Sequence, residues 1–144
     1  LAKEGMLFTD AYAMISAIRA QEGFIGTWGG LLNIPQMIGG LIFIWTIEGQ
    51  VILASVILTL MVAGQIHKRT PFSRLIGICH LPWLIMAPWL AHRVLDHEHG
   101  LMLKAWLIYV LITVTISLIF DVMDVWRFLR GDKTFAWAKT DERP

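Results

Sequence analysis

Leucine, isoleucine, valine and methionine fall into four long runs, at about 24–46, 51–66, 75–91 and 101–121, separated by short charged punctuation. Each run approaches the ~20 apolar residues that a helix needs to cross a hydrocarbon core. The pattern predicts an all-α fold, an integral membrane four-helix bundle. Its last helix should extend to about Arg130, where Gly131 supplies a C-terminal stop. Residues 1–22 differ. There Leu7, Ala11, Met14, Ile15 and Ile18 recur at helical spacing, with Lys3, Glu4, Asp10, Arg19 and Glu22 between them. This predicts an amphipathic helix lying at the membrane interface. It has no continuous apolar core followed by a small-residue cleavage site, so it does not read as a secretory signal. Residues 131–144 read as a polar, partly disordered C-terminal tail.

Composition strengthens the membrane reading. Only 16% of residues are charged and the mean hydropathy is +0.62, against about 25% charged in soluble domains. The single cysteine, Cys79, lies in an apolar run and allows no disulfide within one chain. Charge distribution then orients the spans. With the N-terminus cytoplasmic, Lys3, Arg19, Lys68, Arg69, Arg74, Arg127, Arg130, Lys133, Lys139 and Arg143 lie inside, and only Arg93 and Lys104 outside. That asymmetry predicts both termini in the cytoplasm, with a bacterial inner membrane as the setting. Trp28 and Trp45 bracket the first run, Trp83 and Trp89 lie in the outer half of the third, and Trp106 and Trp126 sit near opposite ends of the fourth helix, depths that resemble interfacial belts.

The first run carries the features of a broken, tightly packed helix. Pro35 removes a backbone donor and predicts a kink, while Asn33 and Gln36 bring amides into apolar surroundings. Gly26 with Gly30, and Gly39 with Gly40, offer close backbone approach. On the second run Ser55, Thr59 and Ala63 form a small-residue ridge that His67 continues past the boundary.

His80 is the most unusual residue, since it lies about five residues inside the third run. An ionisable group at that depth suggests a proton relay, a ligand to haem or another metal, or a hydrogen-bond donor to a bound pigment or quinone. The plainer alternative is donation to a carbonyl freed by a neighbouring proline: Pro82 frees that of Ile78, Pro88 that of Leu84. Farther out, His92, Asp96 and His99 stand at i, i+4 and i+7. If the helix continues, they share one face and could ligate a divalent metal such as zinc; otherwise they form a solvated turn with His97 and Glu98. His80 and this turn are separated by about 18 Å of helix and cannot share an ion within a chain.

The fourth run bears a polar ridge, Tyr109, Thr113, Ser117 and Asp121, with Asp124 one turn on. It could line a hydrated path, or its hydroxyls could bond their own helix while the carboxylates pair with Arg127, Arg130 or the Lys68, Arg69, Arg74 cluster. The ridges of the second and fourth runs are expected to face each other. There is no P-loop, GxSxG, HExxH or dinucleotide-binding glycine motif, and the basic residues follow membrane topology, not a nucleic-acid patch. The expected function is a non-catalytic accessory or structural subunit, with the lipid bilayer and other membrane polypeptides, or a second copy of itself, as partners. The alternatives are a small oligomeric transporter or channel for a proton, cation or small solute, and a haem- or metal-binding redox protein using His80 or the His92–His99 turn.

Overall fold

A computed structural model describes residues 2–20, 24–70 and 73–134, without the side chains of 2–6 and 25. The chain is all-α: α1 (Ala2–Ala20), α2 (Phe24–Ile42), α3 (Ile47–Arg69), a 3₁₀ segment (Arg74–His80) running into α4 (Leu81–Asp96), and α5 (Leu101–Leu129). Among the described residues three helical stretches are long and apolar enough to cross a membrane: Ile47–Arg69, the continuous Arg74–Asp96, and Leu101–Leu129. The protein is therefore a membrane protein by helix length and composition. α2, expected as a fourth span, is not among the three, because Asn33, Gln36 and its glycines dilute its apolar character.

Local chemistry sets the boundaries. α3 begins at Ile47, before the expected Val51, because the Thr46 hydroxyl caps it, accepting from the Gly49 N–H at 3.0 Å. The third run is not one α-helix. Pro82 has no N–H for the Ile78 carbonyl, which accepts instead from Leu81 N–H in the tighter 3₁₀ pattern. α5 stops where sequence expects, at Gly131 with φ 98°. Gly131 N–H donates to Phe128 O at 3.0 Å and Asp132 N–H to Arg127 O at 3.1 Å, which closes the last turn. Of the expected tail, 135–144 lie outside the described residues.

The segment 74–96 lies at the centre, with α3 and α5 both packed on it and α2 packed on both of those helices. The expected meeting of the α3 and α5 ridges is thus replaced by contacts with the intervening segment: Ser55 Oγ lies 3.2 Å from Met86 Sδ, and Ala63 packs with Cys79. The main core gathers Leu32, Ile52, Trp83, Leu90, Leu107 and Val110. A smaller cluster of Met14, Ala63 and Cys79 joins α1 to α3 and the 3₁₀ segment. In lipid such contacts stabilise through close packing, not water release, so approach distance matters. Gly64 provides it: a Cβ there would lie 2.8 Å from the backbone of Ala11. α1 carries apolar side chains on both faces, with Ala11 and Met14 buried while Phe8 and Tyr12 are 62% and 72% exposed.

Candidate functional site

His80 closes the 3₁₀ segment just before α4, a position that turns its side chain toward α5. Its Nδ1 lies 2.6 Å from Asp121 Oδ2, and both side chains are only 16% exposed. The imidazole stacks on Trp83 with centroids 4.1 Å apart and planes 9° from parallel. Gly77, one 3₁₀ turn earlier, makes room for the carboxylate: a Cβ there would lie 2.7 Å from Asp121 Oδ1. The pair is short, oriented on two sides and sheltered. Nε2 has no hydrogen-bond partner among the described residues. His80 therefore does not donate to a proline-freed carbonyl through Nδ1. Beside the pair, Ile78, Leu81, Leu84, Leu118, Val122 and Trp126 border an apolar groove of about 350 Å³.

Other charged groups are also joined across helices. Near the start of the 3₁₀ segment, Arg74 spans Asp124 (2.8 Å) and Asp132 (3.0 Å). Backbone pairing reinforces it, through Arg74 N–H to Lys133 O at 3.0 Å and a Ser73–Thr134 bridge. Asp10 of α1 accepts from Gln65 Nε2 at 2.9 Å and Lys68 Nζ at 3.1 Å. The Gln65 amide first, and then the Lys68 ammonium, hold its carboxyl below the ordinary aspartate range.

At the opposite end Glu48, 3% exposed, receives Arg93 (Nη2 2.6 Å, Nε 2.8 Å) and His99 Nε2 (3.0 Å) on one oxygen. Sequence reasoning missed this residue. The available signal was a lone carboxylate opening an apolar run after a turn without lysine or arginine, as costly unpaired as His80. The proposed His92, Asp96 and His99 face does not form. α4 ends at Asp96 and His97 turns extended (ψ 143°), so His92 pairs with Asp96 while His99 swings to Glu48. Among the described residues no group of three or more histidine, cysteine or acidic side chains could hold a metal ion.

The polar ridge of α5 is used piecewise. Tyr109 Oη donates to Leu31 O at 2.6 Å, Thr113 Oγ1 bonds back to Tyr109 O at 2.9 Å, Ser117 is buried, Asp121 holds His80, and Asp124 holds Arg74. On α2 the amides bond their own helix: Asn33 Nδ2 to Gly29 O at 2.9 Å, Gln36 Nε2 to Leu32 O at 3.0 Å. Close approach occurs at Gly39, beneath the Trp106 indole whose Nε1 donates to Pro35 O at 3.0 Å, and at Gly40 against Leu53. At Gly30 a Cβ would meet only its own Ile34, 3.8 Å away. Compared with known protein families, curated proteins and solved structures, the chain matches none.

Proposed function

We propose that this chain is a small, non-catalytic subunit that docks within a larger assembly of a bacterial inner membrane. α2 completes a bundle of four spans, and both termini are cytoplasmic. One observation carries the reading. The two buried charges and the partly buried ones around them are tied to each other, Arg74 to Asp124 and Asp132, Glu48 to Arg93 and His99, His80 to Asp121, while the outer surface is broad and apolar. Charges committed to bracing helices do not line a solute path, and what remains to meet partners is apolar surface that includes Trp45, Ile85 and Trp126.

The basic inner end and the Arg93 pairing with Glu48 fit the proposed orientation. The test is the native mass of the assembly extracted from its own membrane in mild detergent. A second polypeptide in fixed stoichiometry is expected, displaced by charged substitutions at Ile85 or Trp126. A homo-oligomer alone would defeat the reading.

A further inference from the structure

Two cavities, of about 160 and 140 Å³, lie among α1, α2 and α3 and share Met14, Ile18, Gly29, Asn33 and Leu60. The first extends past Gly26 to Met37 and is bordered by Arg19 at the end of α1, and the second reaches Thr59, Cys79 and His80, away from that charge. A Cβ built on Gly29 would meet nothing within 4 Å, so this side of α2 borders open space instead of a packed helix. Polar atoms without partners lie along it. Thr59 is 2% exposed and its Oγ1 is buried without a hydrogen bond, as is Asn33 Oδ1, although the Asn33 nitrogen is bonded to Gly29 O. Buried polar groups left unbonded are costly, and a bound group that completes them recovers that cost.

Depth selects the chemistry. Thr59 lies near the middle of α3, about 15–18 Å from either end at 1.5 Å per residue. A charged head group is too costly to bring there, but a neutral hydroxyl is not. Its O–H can donate to Asn33 Oδ1 while its oxygen accepts from the Thr59 hydroxyl. We infer that this cavity binds an uncharged, apolar-chain molecule headed by a hydroxyl, either an aliphatic alcohol or a phenolic quinol. The head sits on Asn33 and Thr59, and the chain runs along Met14, Ile18 and Leu60 and leaves beside Gly29. This binding is independent of the subunit role proposed above.

The test uses the full chain in nanodiscs of saturated phosphatidylcholine, whose head carries no hydroxyl. Farnesol and a short-chain p-benzoquinol are the probes, and farnesyl methyl ether keeps the chain while losing the donor. At least one hydroxyl probe should raise the unfolding temperature saturably, and the stronger of the two identifies the source as aliphatic or phenolic. Thr59→Val should weaken binding about tenfold, the loss of one hydrogen bond. Gly29→Leu should abolish it by filling the groove. This second variant puts a better helix former where a Cβ meets nothing within 4 Å, and its own unfolding transition without probe shows that it folds. Equal stabilisation by the ether, undiminished binding to Gly29→Leu, or no saturable binding of either hydroxyl probe overturns the inference, the last leaving these polar atoms to water alone.

Discussion

Tyr109 donates its hydroxyl to the carbonyl of Leu31 at 2.6 Å, and Leu31 stands four residues before Pro35. That carbonyl is the one a helical proline cannot serve, so α5 supplies the donor that α2 lacks. Tyr109→Phe should lower stability by about 1 kcal/mol, read from thermal unfolding in micelles. With Pro35→Ala in place, the alanine N–H returns to Leu31 and the same Tyr109→Phe change should cost much less. An equal cost in both backgrounds would show that the proline and the tyrosine are unconnected.

For the His80 and Asp121 pair, removing one partner leaves the other sheltered and unbonded. His80→Leu and Asp121→Leu should each cost about 1–3 kcal/mol, whereas the double substitution should cost clearly less than their sum. A double-mutant cycle on unfolding free energy measures this. Additive costs would mean that the 2.6 Å contact contributes nothing to stability.

Two glycines should respond in opposite directions. Gly77→Ala places a methyl against the Asp121 carboxylate and should destabilise by about 1–3 kcal/mol, as overpacking does. Gly29→Ala meets open space and should stabilise by about 0.5–1 kcal/mol through helix propensity. Matching signs in the two melting curves would contradict the packing described here.

At the outer end, Glu48→Leu removes the common acceptor of Arg93 and His99. It should cost about 3 kcal/mol and expose the 97–100 turn to protease, because Arg93 and His99 then lose their anchor on α3. Unchanged proteolysis of that turn would refute its tethering by Glu48.

Asp10 gives a pH dependence of known sign. Its folded value lies below its ordinary 3.8, so the stabilisation of α1 on α3 is fully present above 3.8 and is lost as pH falls through the lower folded value. Acidification below about pH 4 should loosen α1, detectable by a probe on Phe8, and Asp10→Asn should flatten that response.

Apolar run lengths and punctuation were enough to read an all-α membrane protein, because the bilayer imposes length and polarity on each span separately. Pairing between helices is not written that way. His80 stood out alone, yet its partner is 41 residues away and was visible only as one member of a polar ridge. The His92, Asp96 and His99 face rested on helicity that ends before His97, and His99 instead meets Glu48 from another helix. Gly39 and Gly29 look alike in sequence. One lies beneath Trp106 and the other borders a cavity, because only tertiary structure decides which glycine meets a neighbour.

The grip of Arg74 on Asp132, with Arg74 N–H on Lys133 O, also sets an order of events during synthesis. Arg74, which opens the 3₁₀ segment, finds its second carboxylate 58 positions later, after the whole of α5 has been threaded. Asp124 reaches the guanidinium first, 50 positions on, and the Asp132 carboxylate and the Lys133 carbonyl then complete the grip. The turn after α5 thus acts as a clasp: a chain stopped short of Asp132 would possess every span yet hold Arg74 by Asp124 alone, without the second carboxylate or the backbone tie to Lys133.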